Sequence, residues 1–205
     1  MERILNGGEE PFDSQDFSGI HGEEQQLSGK KFHNCRFDGA DFSEVCFEHC
    51  AFEKCRFHGS RFNGAVLKNC AFINCTFQYA RLFSAVFENC KLTGSIFIGA
   101  DTQNMQINGG DWSYTDLREA DLHKTHLENI NFKGADFNRA RLENCRIYNC
   151  NFEGAVISGA SFRGSDLRES NIAGTDILGA DFKGTTIDVQ QAIDMARALG
   201  AKFLP

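Results

Sequence analysis

A large apolar residue at every fifth position is the feature that most constrains this sequence. From position 32 to position 187, steps of five give 32 positions, and 31 of them hold Phe, Leu, Ile or Trp. Thr102 is the one polar exception. Two positions before most of these large residues stands a small one, as at Cys35, Ala40 and Ala65. An unbroken register of this length is an internal repeat, and the repeat determines the fold.

The period of five fits neither a helix nor a plain strand. In extended backbone, residues two apart point to the same side. The small and the large residue of each repeat therefore face inward together, while the residue between them, such as Asp41, points outward. The three residues that follow must turn the chain, and the Gly or Asn often found there tolerates a positive φ. A short extended edge followed by a corner, many times over, predicts a coiled solenoid.

The repeat resembles the pentapeptide-repeat family, whose motif is Ala, Asp or Asn, then Leu or Phe, then two variable residues. The segments that carry the resemblance are Ala40–Phe42, Ala120–Leu122, Ala135–Phe137 and Ala180–Phe182. The resemblance implies an all-β fold, a right-handed quadrilateral β-helix with 20 residues per coil. The repeats would form about eight coils, with stacked strands about 4.8 Å apart. Because 18 of the 20 Phe occupy the large positions, we expect a core of stacked rings.

The two ends of the chain depart from the repeat. Residues 1–31 keep the register weakly, with Gly22 in place of a large residue, and we expect a cap or a distorted first coil there. After Ile187 the period changes: Asp188 suits the N-cap and Gly200 the C′ position of a short α-helix. The sequence thus predicts three segments: a cap at 1–31, a β-helix at 32–187, and a helix with a tail at 188–205.

The predicted C-terminal helix is amphipathic. It can cover the last coil as a lone cap, or it can join two copies of the chain in a two-fold homodimer. We favour the dimer, because the coil end and the tail together offer more apolar surface than one short helix hides. The residues expected at the dimer contact are Val189, Ala192, Ile193, Met195, Ala196, Leu199, Phe203 and Leu204.

Nine cysteines raise the question of disulfides or metal binding. Eight of them occupy the small inward position, where they replace Ala, and we expect buried free thiols. Cys46 alone is outward, and His49 lies nearby in the sequence. A zinc site there would need partners that point into the core, so we expect no metal.

Charge and motifs exclude several classes of function. The net charge of −7 comes from the first fifty residues, which hold 11 acidic and 4 basic side chains. No basic stripe is available to neutralise phosphates, so direct nucleic-acid binding is not expected. The sequence lacks a phosphate loop and hydrolase motifs, which predicts a protein that is not an enzyme and has no cofactor. No membrane span or signal peptide is visible, so we expect a soluble cytoplasmic protein.

The repeat is weakest between residues 100 and 115. Thr102 takes a large position, Met105 and Gly110 take small ones, and Gly109 precedes Gly110. One interpretation is a degenerate but regular coil. The other is a bulge or short loop that contacts a partner, for which Met105 and Trp112 are the candidate contact residues.

The C-terminal segment, from Val189–Gln191 through Leu199–Gly200 to Leu204–Pro205, looks like that of the Qnr quinolone-resistance proteins and their MfpA-like relatives. This resemblance implies a dimer that imitates duplex DNA, binds DNA gyrase or topoisomerase IV, and protects the enzyme from fluoroquinolones or inhibits it. The inserted loops of familiar Qnr proteins have no counterpart here. The alternative is a pentapeptide-repeat scaffold with a different partner. The acidic residues expected to stand in for phosphates are Asp41, Glu48, Glu88, Asp101, Asp121 and Glu128.

Overall fold

The computed structural model describes residues 11–22 and 26–202. They form one parallel β-solenoid followed by a short helix, α1. The predicted fold class is confirmed. The elements are β1 Phe12–Asp13, β2 Gln26–Ser28, β3 Lys31–His33, β4 Cys46–Glu48, β5 Ala51–Glu53, β6 Val66–Lys68, β7 Ala71–Ile73, β8 Val86–Lys91, β9 Gln106–Asp111, β10 His126–Asn131, β11 Arg146–Tyr148 and α1 Val189–Ala198.

Successive coils pair in a constant register of 20 residues. Phe12 lies opposite Phe32, which lies opposite Phe52 in the next coil. Single bridges continue the same spacing where no strand is long enough to be named, as between Arg141 and Ser161. The predicted coil of four repeats is therefore confirmed. Pairing begins at Phe12, so the described part of the predicted N-terminal cap already belongs to a regular coil.

The corners of the coil lie two residues after each large inward residue. The backbone there has a positive φ, and Gly39 at 62° and Asn34 at 53° are suited to it. Tyr79 at 56° and Arg139 at 58° adopt the same conformation, which costs an ordinary residue about 1–2 kcal/mol. Their backbone N–H groups bond to the next coil at the same time, and those bonds hold the corner in place.

The core consists of columns of stacked side chains. The Phe72 ring lies 4.7 Å from that of Phe52, and the two planes are 8° from parallel. The Phe57 ring is 4.9 Å from that of Phe77 in the neighbouring column. Rings of adjacent columns meet edge to face, as between Phe52 and Phe57 at 5.4 Å. A single coil cannot bury these rings, so the stack is what stabilises each coil.

The inward cysteines fill the small positions as predicted. All nine thiols are free, and eight of them are buried while Cys46 is half-buried. The Cys75 sulfur lies 3.4 Å from the Phe52 carbonyl oxygen, and that of Cys35 lies 3.4 Å from the Phe12 carbonyl oxygen. These weak bonds to the preceding coil show that the thiols take part in packing.

The helix α1 closes the C-terminal end of the solenoid. The Asp188 carboxylate accepts a bond from the Gln191 N–H at 2.9 Å, and the Gln191 side chain accepts one from the Asp188 N–H at 3.0 Å. The buried Gln191 side chain also donates to the Leu167 carbonyl and, at 2.8 Å, to that of Ser170. These two carbonyls lie in the previous coil, at the free end of the ladder. A side-chain amide thus completes the last coil.

The face of α1 that meets the coil differs from the apolar face expected from the sequence. Gln191 is buried there, and Met195 packs against the core. Val189 and Leu199 instead point outward, with 78% and 66% of their surface exposed. The buried polar contact of Gln191 sets the rotation of the helix, because an amide that satisfies two carbonyls outweighs a longer apolar stripe. Phe203 and Leu204, also expected at a dimer contact, lie outside the described residues.

Candidate partner-binding surface

The six predicted acidic residues lie on two adjacent faces of the solenoid. Asp41, Asp101 and Asp121 share one column of outward positions, 20 residues per coil, which we call the Asp41 face. The other column, the Glu48 face, holds Glu48, Glu88 and Glu128. The two faces meet at one corner, formed by residues 44, 64, 84, 104 and 124. The structure therefore brings the acids to one side of the rod, spread along its length.

Basic residues neutralise most of the Asp41 face. Asp41 is only 7% exposed, accepts a bond from the Ser43 hydroxyl at 2.6 Å and pairs with Arg61 at 3.1 Å. Asp121 lies 2.6 Å from the His123 ring nitrogen Nδ1 and pairs with Arg141 at 3.0 Å.

Both of these carboxyl groups titrate below their ordinary range. Burial alone would raise the pKa of Asp41, but the bonds from Ser43 and the Arg61 charge outweigh it and lower the pKa. Burial would likewise raise the pKa of Asp121. The bonds from His123 and the charge of Arg141 outweigh this effect, so the pKa of Asp121 is also lowered. Both groups stay ionised at neutral pH and are tied to cations of their own chain.

The Glu48 face is similarly mixed. Glu88 pairs with Lys68 at 3.0 Å, while Glu48 accepts a bond from the Gln26 amide at 3.3 Å and lies 3.9 Å from His49. Among the six acids, only Asp101 and Glu128 lack an ion pair within the described part of the chain, and both are exposed. These two carboxylates are the ones with charge available to a partner.

Met105 and Trp112 are not surface residues. Both are fully buried, and the Trp112 ring packs 5.5 Å from that of Phe97. The strand β9 keeps its register with β8 through this region, so the bulge or loop interpretation is wrong and the interpretation of a degenerate coil is right. Gly110 occupies its small position because a side chain there would meet the Cys90 carbonyl oxygen at 2.1 Å.

One break in the backbone ladder was not foreseen from the sequence. Between residues 99–105 and 118–126, five backbone bonds that neighbouring coils make are absent from this described stretch. The ladder resumes where Asn108 pairs with Glu128. We call this break the seam. The missing bonds are Gly99 N–H to Arg118 C=O, Thr102 N–H to Asp121 C=O, Asp121 N–H to Ala100 C=O, Asn104 N–H to His123 C=O, and His126 N–H to Met105 C=O.

Two residues explain the seam. The Thr102 hydroxyl inserts into the ladder, accepting from the Asp121 N–H at 2.8 Å and donating to the Asp121 carbonyl at 3.2 Å. Met105 is a long side chain at a position that is Ala85 in the coil before and Thr125 in the coil after. Because Met105 is fully buried, its extra volume must be accommodated inside the solenoid at this junction. The irregular residues at 102 and 105 were the only sequence signal.

The outer surface of α1 carries an apolar stripe. Val189, Ala192 and Leu199 are exposed, and Ile193 and Ala196 are half-buried. These residues are spaced by three and four and lie away from the coil, so they are free to contact another molecule.

Two further features of the described residues bear on function. No cluster of three or more His, Cys, Asp or Glu side chains in residues 11–22 and 26–202 could hold a metal ion. None of the helical structure described is long and apolar enough to cross a membrane.

Comparisons with known families agree with the solenoid. A family model described as a pentapeptide repeat region matches residues 80–155, and one described as pentapeptide repeats, in eight copies, matches residues 150–187. A model of the SV2A/B/C luminal domain matches residues 16–97. A search of curated protein sequences found no match.

Solved structures of QnrB1, a plasmid-mediated fluoroquinolone resistance protein, share the fold. One trypsin-treated variant is 24% identical, with a TM-score of 0.78 over 95% of this chain and 98% of that chain. A second trypsin-treated variant is 24% identical, with a TM-score of 0.69 over 94% and 99%. The full-length protein is 23% identical, with a TM-score of 0.51 over 92% and 99%. The chain is therefore a pentapeptide-repeat protein whose fold is that of the QnrB1 structures.

Proposed function

We propose that this chain is a non-enzymatic cytoplasmic protein that imitates duplex DNA, binds DNA gyrase or topoisomerase IV as a homodimer, and protects the enzyme from fluoroquinolones. The observation that carries the proposal is the rod itself. Its 20-residue spacing is kept from Phe12 to Thr186, on both sides of the seam, and sets outward side chains in straight columns. The fold shared with QnrB1, a fluoroquinolone resistance protein, supports the same function.

The dimensions of the rod fit a duplex. Stacked rings place successive coils 4.7–5.0 Å apart, so the solenoid is about 40 Å long. Two rods joined end to end through α1 would reach about 80–90 Å, which matches roughly 25 base pairs at 3.4 Å per pair. The exposed stripe of α1 offers the apolar contact that such a join requires.

The charge of the rod suits a DNA-binding enzyme as partner. The chain carries a net charge of −7, and Asp101 and Glu128 present unpaired carboxylates on the two adjacent faces. A basic saddle that normally holds phosphates would meet these groups at long range and accelerate association. Because exposed charges are screened by salt, the interaction should weaken as ionic strength rises.

The decisive experiment measures binding of purified gyrase to the chain and to two matched charge reversals. Asp101→Lys and Asp176→Lys both change an exposed aspartate that accepts only a backbone bond from the residue two positions on. Asp176 lies on a different face, in register with Val156. We expect D101K to weaken binding at low salt and D176K to leave it near the wild-type value. Neither change should lower the melting temperature by more than a surface substitution does.

The dimer is tested separately. Leu199→Glu should give monomers in light scattering and weaken gyrase binding, because half the rod cannot span the site. Ala198→Glu, which introduces the same charge at another exposed position near the end of the same helix, is the control. A folded wild-type dimer that neither binds gyrase or topoisomerase IV at low salt nor alters fluoroquinolone sensitivity would contradict the proposal and favour a scaffold with another partner.

A further inference from the structure

The seam leaves strong hydrogen-bonding groups without partners in the backbone ladder. Backbone N–H and C=O groups are satisfied almost everywhere in folded proteins. At the seam, the N–H groups of Asn104 and His126 lack the carbonyls that their counterparts reach in neighbouring coils. The equivalent N–H of Asn144, two coils away, donates to Arg163 at 2.9 Å. The seam is thus a local opening that a ligand group or water must fill.

The free groups at the seam are complementary to an amide. Asn104 N–H faces the coil that carries the His123 carbonyl, and His126 N–H faces back toward the Met105 carbonyl. Each of the two coils therefore offers one N–H donor that lies opposite a carbonyl acceptor of the other coil. A carboxamide or peptide group has one carbonyl and at least one N–H, so it can bond to both edges at once. An anion could use only the donors.

The chain already uses this chemistry at its own end. The Gln191 amide fills the free edge of the last coil by donating to the Leu167 and Ser170 carbonyls. The Thr102 hydroxyl bonds to both the N–H and the carbonyl of Asp121 in the same way. A side-chain polar group is therefore able to replace direct backbone pairing between two coils of this solenoid.

The seam has room for such a group. It opens into a cavity of about 530 Å³ whose lining is polar and holds no carboxylate: Asn104, Met105, Gln106, Asn108, His123, Lys124, Thr125 and His126. A groove of similar volume runs along the corner at Cys35 and Cys55, but its ladder is intact, since Arg56 N–H donates to Cys35 at 2.9 Å. Space and unpaired backbone groups coincide only at the seam among the described grooves.

We propose that the seam is a recognition site for an amide-bearing polypeptide loop of the protein partner. This inference rests on the proposed function and identifies the seam as a place where the partner contacts the solenoid. The seam lies at the corner between the two acidic faces, with Asp101 before it and Glu128 after it. A partner held by these carboxylates would place its loops over the opening. One amide, from an Asn or Gln side chain or from the main chain, would then bridge the two coils.

A variant designed to close the seam, so that the backbone bonds between the two coils form again, provides the test. Thr102→Leu restores the residue found at Leu82 and Leu122, and the added Met105→Ala restores a small residue. We expect the double variant to regain protection of the Asn104 and His126 amides from hydrogen exchange, to the level of Asn144. Gyrase should then bind about tenfold to a hundredfold more weakly, as for two lost hydrogen bonds. Val45→Ala is the control, because it shortens another inward residue of the same column where the ladder is intact. If the double variant is misfolded, Thr102→Leu alone replaces it.

The outcomes separate this inference from the proposed function. If gyrase binds wild type and a closed variant equally, the seam proposal is wrong and the proposed function stands. If gyrase does not bind wild type at all, the proposed function fails and the seam is tested with acetyl-glutamine-amide as the probe. Amide shifts at Asn104 and His126 that vanish in the closed variant would support the site, and an absence of shifts at millimolar probe would overturn it.

Discussion

Removing one ring from the aromatic core tests whether stacked rings stabilise the coils. The Phe72 side chain is fully buried, with its ring 4.7 Å from that of Phe52, 5.4 Å from that of Phe77 and 5.8 Å from that of Phe57. Phe72→Ala leaves a cavity between two coils and should lower the free energy of unfolding by about 3–5 kcal/mol. Phe72→Leu keeps most of the volume, as Leu92 does one coil on, and loses mainly the ring contacts. At about 0.5–1.5 kcal/mol for each of the three ring pairs, it should cost about 1.5–4.5 kcal/mol and less than Phe72→Ala.

The assay is urea denaturation at equilibrium. Far-ultraviolet circular dichroism follows the strands, and fluorescence of the single tryptophan, Trp112, follows the core. Coincident transitions justify the extrapolated free energies. Gln103→Ala, an exposed position, should change the free energy by no more than about 0.5 kcal/mol. A cost below about 1 kcal/mol for Phe72→Ala, or equal costs for the Leu and Ala variants, would refute the reasoning that stacked rings stabilise the coils.

Two further predictions concern the thiols and the response to acid. Eight of the nine thiols are buried and so shielded from reagents, and burial raises the pKa of Cys150 to about 11. In the native protein without reductant, only the half-buried Cys46 should therefore react quickly with a thiol reagent. All nine should react after denaturation, and a lower total would reveal disulfides. Asp41→Asn should destabilise the protein at pH 7. Because the pKa of Asp41 is lowered on folding, its contribution is present above the unfolded value of about 3.9 and is lost as the pH falls below it. The melting temperatures of wild type and variant should therefore converge as the pH falls through the lowered pKa of Asp41, and a constant gap would contradict the ion pair with Arg61.

The five-residue period predicted the solenoid because large side chains that pack inward recur at a constant interval along the chain. A large residue every fifth position predicted a coiled solenoid, and the resemblance to pentapeptide-repeat proteins implied a 20-residue coil. Phe32, Phe52 and Phe72 stack in such a coil, and the structure confirms that column. Corners such as Tyr79 follow from the same geometry even where the residue is unfavourable for a positive φ.

The features that the period did not determine depend on single side chains. Thr102 and Met105 were recognised as irregular, but the sequence could not show whether extra volume would push the chain outward or separate two coils. The apolar spacing of α1 does not indicate that Gln191 is buried, because its burial depends on bonds to the Leu167 and Ser170 carbonyls of the last coil. The neutralisation of Asp121 by Arg141 depends on neighbours 20 residues away, which a count of acids along the chain does not reveal.

The seam also affects how stability is distributed along the rod. In a solenoid each coil contacts only its neighbours, so the whole behaves as a linear chain of coupled units, and cooperativity passes through each junction in turn. The junction at the seam lacks five backbone bonds, so it couples its two coils less strongly than a fully bonded junction does. The coils before it are rich in stacked Phe, whereas those after it contain more Leu and Ile. We therefore expect the seam to divide the rod into two cooperative blocks in series, with strain applied at one end absorbed at their boundary before it reaches the other.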